Sequence, residues 1–243
     1  MTPFARTMRR LNDRFPWSHN DHFHPWIVAG LPARRRGAIE VGCGQGALLA
    51  RLAGEFRHVH GTDTSAAMRA DSLRRCAGLG NVTIDVAQLR DLDPGIEAHG
   101  TEAPGTEPEP IDLITMVAAL HHLDVEETFA QAGRLLSPGG RLLIVGLALS
   151  ATPRDYLWEG ISVVTNPLIG MVKNAPPRRE GERGGGPDVD PPRSAGPRDP
   201  FPVTDPTMTF DEIAEAARRH LPGARFRHRV GFRYTLEWTK PVR

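Results

Sequence analysis

Between residues 38 and 147, short apolar runs alternate with longer amphipathic ones. Residues 38–41 and 82–86 are short, largely apolar runs, 59–62 reads as a further short strand, and 111–117 is a nearly unbroken apolar run. A strand reads this way when helices cover both of its faces, because few of its side chains meet water. Residues 47–56, 65–79 and 125–136 instead repeat apolar positions at the helical period. Gly78 and Gly80 close the second of these, and Ser137-Pro138-Gly139-Gly140 closes the third before a further strand at 141–147. Glycine just past a last turn is a usual helix stop. The alternation predicts an α/β fold built on a mainly parallel sheet.

The flanks break the pattern. Residues 93–110 are rich in Pro, Gly, Glu and Thr and read as a long surface loop. Residues 174–202 are denser still in Pro, Gly and Arg, too poor in apolar surface to order themselves, and read as a flexible linker. Residues 151–173 read as a helical insert with Leu157, Ile161, Val164 and Leu168 on one face. That face is expected to pack into the core, or with Trp158 to wall a pocket. Beyond the linker, Thr209 and Glu212 make a capping-box pair at the start of a helix. Residues 224–230 and 233–239 then alternate like a strand pair around Gly231. The expected organisation is one domain: a capping segment (1–37), an α/β core (38–150), the insert, the linker, and a 203–243 segment that completes the core.

Charge narrows the function classes. Lys plus Arg number 30 against 29 Asp plus Glu, so no whole-protein field favours nucleic acid or an anionic membrane. Two cysteines, Cys43 and Cys76, make no disulfide framework, and no cluster has zinc spacing; no metal is expected. Residues 1–14 carry arginines without an apolar run, so they do not read as a secretory signal. The apolar runs fall short of the roughly 20 residues of a membrane helix, and a cytoplasmic location is the default.

The chemistry concentrates in Glu40-Val41-Gly42-Cys43-Gly44-Gln45-Gly46, where the first strand ends in a glycine-rich turn. Alternate glycines let the chain turn sharply and let a ligand lie against main chain. The helix that follows aims its unpaired N–H groups at the same place. The dinucleotide fingerprint is G-x-G-x-x-G, whereas the spacing here is G-x-G-x-G. This tighter turn resembles the first motif of class I S-adenosylmethionine-dependent methyltransferases, an acidic residue followed by x-G-x-G-x-G. Asp63 at the end of the second strand, the Leu120-His121-His122 ending after 111–117, and Leu136-Ser137-Pro138-Gly139-Gly140 resemble that family's later landmarks in order and spacing. The resemblance is strong over 38–147 and weak over the final strand pair.

The resemblance implies a doubly wound, seven-stranded Rossmann-like methyltransferase sheet with its last strand antiparallel. It also implies S-adenosyl-L-methionine as cofactor, held by Glu40, Gly42, Cys43, Gly44, Gly46, Asp63, Thr64, Gln88, Leu89 and Val117. Asp63 would take the ribose hydroxyls, its rival role being a turn or helix-capping aspartate. Gln88 would face the adenine where the family usually has an acid, with Asp85 as the rival. Methyl transfer needs a positioned acceptor and exclusion of water, and a base only if the acceptor must lose a proton. His121 is the first candidate base. His22 and His24, in the aromatic- and histidine-dense stretch 16–26, compete with it; that stretch otherwise reads as an amphipathic helix packed on the sheet. A small-molecule acceptor is expected. The other readings are a non-catalytic binder of the cofactor and an NAD-dependent oxidoreductase.

Overall fold

The computed structural model describes residues 18–92, 110–173 and 205–242. The expected 174–202 linker and nearly all of the 93–110 loop lie outside the described residues, as do 1–17 of the capping segment.

The strands are β1 (Gly37–Val41), β2 (His58–Thr62), β3 (Val82–Asp85), β4 (Ile111–Val117), β5 (Leu136–Gly146), β6 (Arg225–Arg229) and β7 (Arg233–Thr239). The helices are α1 (His24–Ala29), α2 (Ala47–Ala53), α3 (Ala66–Arg75), α4 (Val125–Leu135), α5 (Pro153–Lys173) and α6 (Phe210–His220). The seven strands lie in the order β3-β2-β1-β4-β5-β7-β6. β1 to β5 are mutually parallel, and β7 runs antiparallel to both β5 and β6. The expected fold is therefore the observed one. Because β7 is reversed, its first residues and the last residues of β6 meet the carboxyl ends of β1 to β5 along one edge.

Strand periodicity sorts the core onto the two faces of the sheet. Ile39, Ile114, Met116, Leu142 and Ile144 join α4 and α6 in one cluster. Ala38, Leu113, Leu143 and Val145 join α1 and α2 in the other. Phe23 and Ile27 are buried in that second cluster, so the 18–30 stretch packs on the sheet as an amphipathic helix. It also reaches the carboxyl edge, where Asn20 Oδ1 accepts a hydrogen bond from Arg233 at 3.1 Å. Arg36 then ties the chain to β4 through a two-pronged pair with buried Asp112, at 2.9 and 2.7 Å.

Two local expectations are corrected. Ser137-Pro138-Gly139-Gly140 is not a turn ahead of the strand; it lies inside β5, which starts at Leu136. The register slips there, Ile111 pairing with Leu136 and Leu113 with Arg141. Gly139 takes φ 79° and, with Gly140, exchanges backbone bonds with Lys240. A bulge absorbs the extra residues while the ladder continues.

The second correction concerns α5. Its apolar stripe faces outward: Leu157, Ile161 and Val164 are 62, 37 and 49 % exposed. The side chain of Leu168 lies outside the described residues. The face turned inward is polar, with Asp155, Ser162 and Asn166 at 7, 0 and 2 % exposure. Packing against the β6–β7 hairpin, rather than the helix's own pattern, decides which face is covered.

Candidate functional site

The glycine turn leaves β1 with Gly42, Gly44 and Gly46 all in the left-handed region, at φ 71°, 53° and 74°. The three glycines answer different demands. A Cβ on Gly42 would meet the Ala119 Cβ at 2.6 Å, and one on Gly46 would meet Ser72 at 2.8 to 3.2 Å. Those two glycines let protein pack on protein. A Cβ on Gly44 would meet nothing within 4 Å, so the open space beside the turn lies at Gly44.

Asp63 follows β2 and joins two segments. Its Oδ2 accepts from the Gly44 amide at 2.9 Å and its Oδ1 from the Ser65 amide at 2.8 Å. It is thus a turn aspartate, while Ser65 caps α3 through the Met68 amide. A carboxylate with one bond on each oxygen keeps lone pairs for further donors. Thr64 beside it is exposed. Glu40 is 3 % exposed, and its Oε2 finds no hydrogen-bond partner among the described residues. Burial, with Asp63 nearby, pushes its carboxyl well above the usual range.

The Cys43 side chain points into the core, near Ser72 and the Gly61 backbone, and burial pushes its thiol up to about 12. Only its main chain can line the turn. Leu89 is likewise a core residue by side chain, 4 % exposed. Gln88 is half-buried at the start of the turn after β3, with its amide on Asp91. Asp85 is engaged within the protein, accepting from the Ala87 amide and lying 3.4 Å from His60. Val117 ends β4, and Ala118 beside it holds φ 56° with its amide on the Val145 carbonyl. A left-handed alanine stores strain of the kind that gathers at sites.

These residues fit an adenosyl cofactor: an open main-chain cradle, a carboxylate with spare lone pairs at the next strand, and an orphaned buried carboxylate under the turn.

Of the histidines, His121 sits in the turn Leu120–His122, its ring tilted 40° to that of His122 with centroids 3.9 Å apart. It lines a small cavity with Leu147, Met208 and Tyr234. Burial, helped by His122 and Arg233, lowers its pKa to about 4, so its ring is neutral at physiological pH. His24 is 4 % exposed and 3.6 Å from Asp21, and His22 stands edge-on to Phe23. Both belong to the packed N-terminal segment.

A second cavity, between α5 and the β6–β7 hairpin, involves residues that, Trp158 apart, the chain's pattern did not single out. Asp155, Trp158, Glu159 and Ser162 of α5 face Phe210, His228, Arg233 and Tyr234 across it. Asp155 and His228 lie 2.8 Å apart. The spacing 155, 159, 162, 166 is a polar helical stripe, the one sequence signal that could have drawn attention there.

A methyltransferase-domain family model matches residues 39–142. An uncharacterized methyltransferase of Mycobacterium tuberculosis is 28 % identical over 228 residues, covering 93 % of this chain and 98 % of its own length. A ubiquinone biosynthesis O-methyltransferase of Pseudomonas putida is 26 % identical over 157 residues, 58 % of this chain and 60 % of its own. Among solved structures, an O-methyltransferase family protein from Burkholderia thailandensis shares the fold with a TM-score of 0.53 at 18 % identity, over 98 % of this chain and 62 % of that one.

Proposed function

We propose that the chain is a class I S-adenosylmethionine-dependent methyltransferase, that it binds S-adenosyl-L-methionine at the glycine turn, and that it methylates a small molecule held further along the carboxyl edge. The observation that carries this reading is Gly44: a left-handed residue with open space where a Cβ would stand, its amide fastened to Asp63.

When bound, the cofactor supplies a methyl group activated on a sulfonium. The chain's own contribution is binding and placement. Gly42, Gly44, Gly46 and the Cys43 main chain form the floor. Asp63, with Thr64 beside it, accepts from the ribose hydroxyls. Gln88 and the Leu89 main chain border the adenine, and Val117 closes the β4 side. Glu40 puts a buried carboxylate beneath the turn, where a cationic ligand offsets its desolvation.

In-line displacement then asks the protein to hold an acceptor in place and keep water out. His121 supports this as an uncharged wall beside β4, with His22 and His24 in the segment whose Asn20 reaches the carboxyl edge. A small acceptor is supported by the near-zero net charge, by small cavities at the carboxyl edge, and by the function named for the Pseudomonas putida relative.

Calorimetry with S-adenosylhomocysteine tests the reading. The wild type binds, and Asp63→Ala weakens binding by about 1.5–3 kcal/mol, the worth of hydrogen bonds to a charged group. Unchanged affinity in that variant removes the ribose assignment.

A further inference from the structure

We propose that the cavity between α5 and the β6–β7 hairpin is the acceptor site, that it takes a flat aromatic hydroxyl compound, and that His228 is the base that removes the hydroxyl proton. The proposal rests on the methyltransferase reading above and deepens it.

The first argument is orphaned polarity. Tyr234 is 2 % exposed and lines the cavity, yet its hydroxyl has no partner among the described residues. The same holds for Nδ1 of His228, whose side chain is 9 % exposed, and for Nε of Arg233. A buried polar atom left without a hydrogen bond is costly. Three such atoms on residues that line one cavity mark a place that a polar ligand completes.

The second argument is charge. Arg233 makes hydrogen bonds to the Gly231 and Phe232 carbonyls and to Asn20, all neutral oxygens, and burial alone shifts it, with no carboxylate acting on it among the described residues. Burial holds it down at about 10. A desolvated guanidinium without a counter-charge favours an anion beside it. The other charged groups lining the cavity are already engaged. Arg229 donates to Thr235 at 3.0 Å, Glu159 accepts from Ser150 at 2.5 Å, and Asp155 holds His228.

The third argument is the proton. Burial works to raise the Asp155 carboxyl, but the Thr152 amide, the His228 ring and the Ala151 amide more than offset it and hold it at about 2. Asp155 is therefore ionised and can only accept, so Nε2 of His228 carries the proton in their 2.8 Å bond. In the neutral ring, Nδ1 is then the free base. His121, the alternative on the far side of Tyr234, has been lowered to about 4, too weak a base for efficient proton abstraction near neutral pH.

The walls set the ligand's shape. Phe210 stacks on His228 at 3.9 Å, and Trp158 lies nearly parallel to that ring, 10° apart at 6.1 Å. Phe232 holds φ 58° in the hairpin turn with its amide on Ser162, a strained aromatic kept at the rim. Parallel ring planes accept a further flat ring at little conformational cost.

The step balances. The acceptor's O–H bond breaks and its proton goes to Nδ1 of His228, with Asp155 offsetting the new positive charge. The oxygen, held beside Arg233, would give its electron pair to the cofactor's methyl carbon, and the carbon–sulfur pair would stay on sulfur as the thioether. His228 then returns its proton to solvent.

The probe is 4-nitrophenol, whose ionisation is visible in its absorbance, titrated onto the full chain without cofactor. The expected result is saturable binding, with the probe's ionisation midpoint lowered by about 1–3 pH units through the adjacent positive charge. His228→Asn and Arg233→Met abolish that shift, and Asp155→Asn, a positioning change, reduces it while binding persists. Cyclohexanol, lacking the flat ring, does not displace the probe. S-adenosylhomocysteine affinity, measured in parallel, stays within a few-fold in every variant. An unshifted midpoint in the wild type overturns the proposal, as does wild-type behaviour in Arg233→Met. Should His228→Asn fail to fold, those two readings still decide it. Loss of S-adenosylhomocysteine binding in the wild type would instead sink the cofactor reading and leave the probe result standing.

Discussion

Gly42, Gly44 and Gly46 share a left-handed backbone, but their surroundings separate what each does. Valine at position 44 meets backbone strain of about 1–2 kcal/mol and no protein atom. The variant is therefore expected to stay folded, with a modest fall in Tm, while its side chain fills the cofactor's space and S-adenosylhomocysteine binding is lost. Valine at position 46 drives Cβ into the Ser72 backbone at 3.0 Å, so destabilisation should be the larger effect there. Thermal unfolding and calorimetry on both variants check this. A Gly44→Val protein that still binds would mean the cradle lies elsewhere.

At the scale of elements, the N-terminal helix is the informative case. α1 buries Ile27 completely among Leu113, Leu143 and Val145, while Asn20 just ahead of it touches Arg233. A segment anchored this way is part of the core at one end and part of the site's rim at the other. Ile27→Ala is expected to cost about 2–5 kcal/mol, as buried aliphatic truncations do, measured by denaturant unfolding. A loss below about 1 kcal/mol would show α1 to be a loosely held lid. α5 makes the complementary point, because its placement aims a polar stripe at the cavity and leaves its apolar one in solvent.

For the whole molecule, the shifted groups predict how stability responds to acid. His121 is lowered to about 4 from an ordinary 6.5, so the unfolded chain takes up its proton first. Its contribution is complete above about 6.5 and is lost as pH falls to about 4. Asp155 is held at about 2; its contribution is complete above about 4 and is lost as pH falls towards 2. Glu40 acts with the opposite sign, since its raised carboxyl favours the folded state at low pH and opposes it once ionised. Unfolding free energy measured against pH should fall in two stages, with His121→Phe flattening the upper and Asp155→Asn the lower. A single stage untouched by either variant would contradict these environments. Among the described residues no helix is long and apolar enough to cross a membrane.

What the sequence by itself determined is what depends on neighbours along the chain. Strand and helix alternation, the capping box at Thr209 and Glu212, the glycine turn after β1 and the aspartate ending β2 are local, because backbone conformation and side-chain period are local properties. Even there Ser137–Gly140, which by sequence reads as a stop between helix and strand, is a bulge inside β5, since only the ladder with β4 and the exchange with Lys240 keep those residues in a strand. Tertiary structure alone decided the rest. Asp155 and His228 are 73 residues apart in the chain, and Tyr234 fits only because Gly146, its partner across the β5–β7 ladder, has no Cβ. Burial, orphaned polar atoms and the covered face of α5 arise from contacts between distant segments, and no period along the chain encodes which segments meet.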